Sequence, residues 1–398
     1  MAEGRQSAII AGAGIGGLTA ALCLVHAGWD VTVLERAPAL EEVGAGLQLS
    51  PNGMHVLSTL GLEEAVRSVA CQPEAISMRL GVSGRPVFSL AAGTAMERRF
   101  GAPYLTLHRA DLQRVLADAL AERAPGALHL GQSVSGYRGD GAGAALLLEC
   151  GAKRGADLVI GADGLQSTIR SAMLGPEAPR YTGQTAWRAI VSADAAQDLD
   201  VPNGPCIWAG KQRHAVTYPI RSGTALNFVG IVARAEPPAE SWTASGRWED
   251  LSIDFDGWCP LIQRIVGHAR KPGQWALYDR PPISTPVDGA AVLLGDAWHP
   301  MLPSMAQGAC QAIEDAWVLA ASVRGTPVAE GLARYAAIRK PRVDRVQRLA
   351  AANLALFHKR TAMGRMLTYG PAWAAGQFAP ALLNRRTDWI YGHDVTAA

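Results

Sequence analysis

Apolar positions fall along this chain in two rhythms, and the change between them marks its parts. Ser7–Ala11 is a short apolar run of the length of a buried strand, Leu18–His26 continues as a helix former until Gly28 stops it, and Val31–Leu34 is a second buried strand. Further on, Ile76–Val82 and Val87–Leu90 read as strands around a Ser83-Gly84 turn. Leu112, Val115, Leu116, Ala119 and Leu120 stand at helical spacing, so Tyr104–Asp111 runs into an amphipathic helix. Asp157–Gly164 is a buried strand followed by helical Ser167–Met173. Between 183 and 232 the rhythm turns strand-like throughout, as Thr185–Val191, Cys206–Ala209, His214–Ile220 and Leu226–Val232, with no long helix between them. That shift from βαβ to an antiparallel pattern predicts an inserted second domain. Helices follow around 247–268. Ala291–Pro300 restores a buried strand, a helix then runs to about Val323, and helical spacing from Leu332 to Phe357 is broken by Pro341, which should kink or divide that helix.

The predicted fold is therefore α/β: a Rossmann-like dinucleotide-binding domain, an inserted and largely antiparallel β-sheet domain, and a C-terminal helical segment. The expected boundaries are 1–72, 104–180 and 284–330 for the first, 73–103 and 181–283 for the second, and 331–398 for the third. With 398 residues, of which 49% are hydrophobic, the chain has material for large cores; its length alone suggests about two to three domains. A net charge of +2 gives no broad footprint for nucleic acid. The six cysteines form no C-x-x-C pair, which suits a reducing cytoplasm and argues against a disulfide framework or a metal site. Ten of the eleven tryptophans lie after residue 180, pointing to large aromatic surfaces in the second half. Residues 7–29 carry no Asp, Glu, Lys or Arg, yet four glycines within six positions make a poor membrane helix, and no signal-peptide cleavage pattern precedes the strand.

The chemistry begins at the first strand's end. Gly12, Gly14 and Gly17 fit G-x-G-x-x-G, with a strand before, a helix and a strand after, and Glu35 at the second strand's end, about 20 residues on. Gly12 makes the tight turn, Gly14 lets backbone approach a pyrophosphate, and Gly17 lets helix and strand pack closely. The helix N-terminus offers unpaired N–H groups to the phosphates, and Glu35 accepts from a ribose hydroxyl. The looser match at Gly139–Ala144 lies between strands and is a hairpin turn. Glu42–Asn52 is a glycine-containing loop feeding a helix, with Pro51 near its start, and Gly44 and Gly46 allow close backbone approach. Arg109, unfavourable for the dipole of the helix it precedes, wants a partner such as a phosphate or a flavin edge. Asp163 and Asp296 each end a buried strand, where ligands of such sheets sit. The helix start at Gln307-Gly308-Ala309 aims its dipole at the same cleft.

Together, G-A-G-I-G-G with Glu35, the Asp163-Gly164 pair and G-D-A-W-H-P at 295–300 resemble the single-component (class A) flavoprotein aromatic hydroxylases with the p-hydroxybenzoate hydroxylase fold. Nearly the whole chain is covered. Its E-V-G-A-G-L-Q-L-S-P-N, H-R-A-D-L, H-P-M-L-P-S-M-A-Q-G-A and W-I-Y-G-H-D stretches are most similar to the branch with 3-hydroxybenzoate 6-hydroxylases, salicylate hydroxylases and 6-hydroxynicotinate 3-monooxygenases. The resemblance implies non-covalent FAD as cofactor and NAD(P)H as co-substrate bound without a second nucleotide fold. It puts the ADP half on Gly12, Gly14, Gly17, Glu35 and Arg36, and Arg109 along the flavin. Asp163 serves FAD and NAD(P)H, Asp296 the ribityl chain, Gln307, Gly308 and Ala309 the isoalloxazine, and Ala45 joins the cofactor-binding set. Trp298 stands where the family usually carries a small residue, which fits either a packing role or reshaped flavin surroundings.

The implied reaction is FAD reduction by NAD(P)H, O2 addition to a C4a-hydroperoxide, and hydroxylation of a small phenolic or hydroxylated N-heteroaromatic ring in aromatic catabolism. Such chemistry wants a base near neutrality, and histidine is the usual one. His214, Val216 and Tyr218 share one strand face, and the relatives carry a matching His and Tyr at the substrate, so His214 and Tyr218 are the catalytic candidates. Leu47 and Pro303 wall the pocket, and Arg188 or Arg213 binds a substrate carboxylate as a fork. His299 reads as structural. A histidine at the position of Leu47 in the hydroxynicotinate enzymes speaks against that substrate. Competing readings are a halogenase or prenyl reductase of the same fold, or an escort protein without flavin. The halogenase W-x-W-x-I-P signature is absent, and intact Asp296 and Gln307–Ala309 argue against the escort. The expected partners are the aromatic substrate, O2 and NAD(P)H, with no metal, nucleic acid or stable membrane insertion, and a homodimer as the candidate assembly.

Overall fold

The computed structural model describes residues 5–40, 46–139, 143–192, 194–195, 199–238, 246–269 and 271–397. Ser7–Ala11 is a central strand of a six-stranded sheet. It pairs in parallel with Asp30–Leu34 on one side and Leu158–Gly161 on the other, and Ala291–Leu293 continues in parallel beyond. Leu158–Gly161, Ala291–Leu293 and most of Ser7–Ala11 are buried on both faces and are near-continuous apolar runs, as a parallel sheet covered by helices requires. Helices Ile15–His26 and Gly308–Val323 pack together on it. Their approach depends on Gly16, where a Cβ would meet Leu294 Cδ2 at 2.7 Å and Ala312 Cβ at 3.2 Å.

A seven-stranded second sheet runs in the order Gly273–Asp279, Arg180–Ser192, Ala225–Ala233, Arg213–Ile220, Cys206–Ala209, Ala75–Leu80, Pro86–Ala91. All pairings are antiparallel except Cys206–Ala209 with Ala75–Leu80. Segments far apart in sequence thus share one platform. Its alternation sends Trp187, Ala215 and Phe228 into a core with helices Trp248–Asp254 and Pro260–His268, closed by Phe255, Trp258 and Ile262. The other face carries Arg188, His214, Val216 and Tyr218 to a cavity.

Three expectations change. The Glu42–Asn52 loop contains a strand at Gly46–Leu49 before the expected helix, Pro51–Thr59, while residues 41–45, including Ala45, lie outside the described residues. Arg109 is the first residue of its helix, Arg109–Arg123. Val328–Phe357 is one continuous helix through Pro341, not two. Tertiary anchors hold both flanks of that proline: Arg339 Nε donates to Asp315 Oδ1 at 2.7 Å and Arg342 Nε to Glu314 Oε2 at 2.6 Å. Helices Ala362–Phe378 and Pro380–Tyr391 complete the chain. Among the described residues no helix is long and apolar enough to cross a membrane, and no His/Cys/Asp/Glu group is arranged to hold a metal ion.

Candidate active site

The glycine turn is built from backbone geometry that side chains forbid. Gly12 sits at φ +102°, and a Cβ there would lie 2.5 Å from the Ala162 carbonyl oxygen. A Cβ at Gly17 would lie 2.0 Å from the Gly12 carbonyl oxygen. These two shape the turn, whereas Gly14 stands at the cavity itself. Glu35 faces the turn from the neighbouring strand: Ala13 N–H donates to its Oε2 at 2.8 Å and Ala37 N–H to its Oε1 at 2.9 Å. Each carboxylate oxygen retains a lone pair for a hydroxyl donor. Arg36 beside it is exposed.

Two helix N-termini open onto one cavity of about 960 Å³. Neither Gly14, before Ile15–His26, nor Gln307, before Gly308–Val323, supplies a side-chain cap, and neither first turn holds an acid. Their free N–H groups and positive dipole ends are therefore available to an anionic or electron-rich ligand. Gly308, Ala309, Asp296 and Arg109 line the space between them. Asp296 is exposed to the cavity while protein surrounds it, and that desolvation raises its carboxyl above the ordinary range against the pull of His299 and Arg109.

Two cofactor candidates turn elsewhere. The Asp163 side chain caps the helix Thr168–Leu174: Ser167 Oγ donates to Oδ1 at 2.5 Å and Thr168 N–H to Oδ2 at 2.7 Å. Its neighbours Ala162 and Gly164 face the cavity instead. Burial holds the Asp163 carboxyl above its usual range despite these donors. Gln307 is buried, its Nε2 donating to Ser50 Oγ at 2.8 Å and its Oε1 accepting from Asn52 Nδ2 at 3.1 Å. Only the backbone of Gln307 is left to serve a ligand, because its side chain belongs to the layer beneath.

That layer is ionic and was not anticipated. Glu314, Asp315 and Arg339 are fully buried; Arg339 bonds both acids, and Arg342 joins Glu314. Gly295 N–H donates to Asp315 Oδ2 at 3.0 Å, and His299 Nε2 lies 2.5 Å from the same oxygen. His299 and Arg339 overcome the burial of Asp315 and hold its carboxyl down at about 2. The network pins the Gly295-Asp296 turn against the second helix. Trp298 is buried beside it, its ring 5.5 Å from Tyr335, and is a packing residue that leaves the cavity wall to its neighbours.

The platform supplies the other end of the cavity. His214, Tyr218, Arg188, Leu47 and Pro303 all line it. Arg188 lies 5.0 Å from the Trp275 ring centre. Burial, reinforced by Arg109, lowers its guanidinium pKa, against a weaker opposing pull from Tyr218. Arg213 is the discarded alternative: one residue from His214 it faces the opposite side of the sheet and donates to the Asp254 carbonyl. His214 is 1% exposed, and burial together with His358 pulls its pKa well below the ordinary histidine value. It is a neutral imidazole at pH 7. Burial raises the Tyr218 phenol, which keeps its proton.

Several contributors were given no role from the sequence. Tyr104 Oη donates to Gln48 Oε1 at 2.5 Å, and Tyr391, from the last helix, lines the same region. His358, just past the long helix, has its Nε2 2.7 Å from His214 Nδ1.

These features fit a flavin dinucleotide. Two uncapped helix ends and Asp296 border one cavity with apolar walls from Leu47 and Pro303, and the positive-φ Gly12 turn with Glu35 stands directly before the first of those helix ends. The comparisons agree. A family described as "FAD binding domain" matches residues 5–350. 3-Amino-4-hydroxybenzoate 2-monooxygenase PtnB3 of Streptomyces platensis is 35% identical over 395 residues, 98% of this chain and 96% of that one. 6-Hydroxynicotinate 3-monooxygenase of Pseudomonas fluorescens is 33% identical, covering 89% of this chain and 92% of that one. Klebsiella pneumoniae HpxO, solved with FAD and uric acid, superposes with a TM-score of 0.84 at 27% identity, covering 96% of each chain. The chain belongs to the FAD-binding domain family, within its flavoprotein monooxygenases that hydroxylate aromatic rings.

Proposed function

We propose that this enzyme uses NAD(P)H and O2 to hydroxylate a small phenolic or hydroxylated N-heteroaromatic ring that bears a carboxylate. One observation carries the reading: Arg188, His214 and Tyr218 reach, from one sheet face, the cavity that Gly14, Asp296 and Gly308 border from the other side. FAD, when bound, supplies the redox chemistry and oxygen activation. The chain supplies position and protons. Arg188, with no acid acting on it among the described residues, takes the substrate carboxylate as a fork. Leu47 and Pro303 flank the ring and keep water from it. His214, neutral and buried, takes the ring hydroxyl's proton and so raises the electron density of the carbon to be hydroxylated. Tyr218 holds its own proton and donates a hydrogen bond to the same oxygen.

In this reading residues 1–72, 104–180 and 284–330 serve the cofactor, 73–103 and 181–283 the substrate, and 331–398 close the cavity. Six free thiols support a cytoplasmic setting. The test is a panel of aminohydroxybenzoic, hydroxybenzoic and hydroxypyridine acids, scoring product against hydrogen peroxide per NAD(P)H oxidised. The reading requires at least one coupled acid, and stimulation yielding only peroxide across the panel refutes it.

A further inference from the structure

We propose that Trp275 is the positioning residue of the carboxylate subsite: its indole backs the Arg188 guanidinium and fixes the direction in which Arg188 presents its N–H groups to the cavity. This deepens the proposed function and rests on its reading of Arg188 as the carboxylate's partner.

The strand register builds the contact. Gly273–Asp279 is the edge strand of the platform and pairs with Arg180–Ser192, with Gly273 opposite Arg188 and Trp275 opposite Ala186. Trp275 and Arg188 are therefore diagonal neighbours on the cavity face, a separation that side chains of their length span. Two small residues make the room. Ala186 offers only a methyl opposite Trp275, and at Gly273 a Cβ would meet the indole Cη2 at 2.1 Å and Cζ3 at 2.4 Å. The benzo edge of Trp275 thus occupies the space that a side chain at 273 would fill. Arg188 Cζ lies over the ring, 5.0 Å from its centre.

Such a pair suits a carboxylate fork. A free arginine samples many rotamers, whereas a guanidinium laid against an aromatic ring has fewer orientations to lose on binding. Its donors all lie in its own plane, so covering its face leaves the fork available. Arg109 acts on Arg188 as a like charge, and an electron-rich ring offsets that repulsion. Among the described residues no acid acts on Arg188, so the ring supports the cation without competing for the substrate's place.

The test is binding to oxidised holoenzyme, followed by the change in flavin absorbance. Two probes share a ring: 3-amino-4-hydroxybenzoate, and 2-aminophenol, which lacks the carboxylate. W275L should retain FAD, weaken the acid about 3- to 30-fold and leave 2-aminophenol unchanged. W275F keeps an aromatic face and should recover most of that loss. G273A keeps the indole but displaces it, so it should also weaken the acid, and it carries the test if W275L does not fold. In an R188M background, W275L should weaken the acid no further, because the indole acts through Arg188. Equal weakening of both probes by W275L makes Trp275 a plain wall of the pocket and overturns the proposal. Wild-type affinity for the acid in W275L and G273A, with R188M weakened, overturns it too and leaves the Arg188 reading standing. Wild-type affinity in R188M, or a wild-type enzyme that does not prefer the acid, removes the carboxylate reading and this proposal with it.

Discussion

The two ends of the cavity are made of different material. The end proposed for the cofactor is mostly backbone: two uncapped helix ends border the cavity, and behind the first stand a glycine turn at φ +102° and a carboxylate already held by two N–H groups. The end proposed for the substrate is side chain: Arg188, His214 and Tyr218 on a sheet face, with His358 from the tail in contact with His214. Backbone sites need particular conformations, so they constrain residue types at fixed spacing and vary little with the ligand. Side-chain sites need only a face and a neighbour, so their chemistry changes without disturbing the fold. This division lets one cofactor scaffold serve many rings.

Variants at each end should fail differently, and the largest effect belongs beneath the cofactor end. Arg339→Ala leaves Glu314 and Asp315 buried without their shared cation. It should destabilise the fold by about 3–5 kcal/mol, read from denaturant midpoints. Gly12→Ala places a methyl 2.5 Å from the Ala162 carbonyl oxygen at φ +102°. Strain of about 1–3 kcal/mol should weaken FAD retention roughly 5- to 150-fold, measured by flavin fluorescence on release. Arg188→Met should spare FAD and raise KM for a carboxylate-bearing substrate by roughly 10- to 150-fold, from a lost charged hydrogen bond of about 1.5–3 kcal/mol. The same variant should leave a ring without a carboxylate unaffected, which sharpens the contrast. Asp163→Ala removes a helix cap and should cost about 1 kcal/mol in thermal stability with little change in FAD affinity.

The same division explains what the sequence disclosed. Ser7–Arg36 was legible because its glycines, strand and acid answer to one backbone geometry, and the platform strands because alternation and turn residues agree. Strand parity placed His214, Val216 and Tyr218 on one face. It also separates Arg188 from Arg213, since Arg213 adjoins His214 and must point away. Gln307 resembled a cavity residue because helix-start position says nothing about where a long side chain turns; its partners Ser50 and Asn52 are over 250 residues away. His358 was illegible for a related reason. A lone histidine after an amphipathic run has no period, and its partner is 144 positions distant. Pro341 does not divide its helix because buried anchors on either side outweigh local helix-breaking.

The central claim is that one cavity joins a backbone-held flavin to a base on the platform, and His214→Asn tests it most directly. Asparagine keeps similar size and hydrogen bonding but cannot take a proton near neutrality. Product and hydrogen peroxide are measured together across pH. Because the folded pKa of His214 lies well below 6.5, the wild-type base stays neutral and competent through pH 6.5 and upward, and is lost only as acid reaches that lowered value. In the variant, FAD content should match wild type while hydroxylation slows by about 10²–10⁴-fold and peroxide rises. Coupling should recover as pH climbs toward a phenol's own pKa of about 10, where the substrate ionises unaided. Wild-type product per NAD(P)H in the variant at pH 7 would contradict the account.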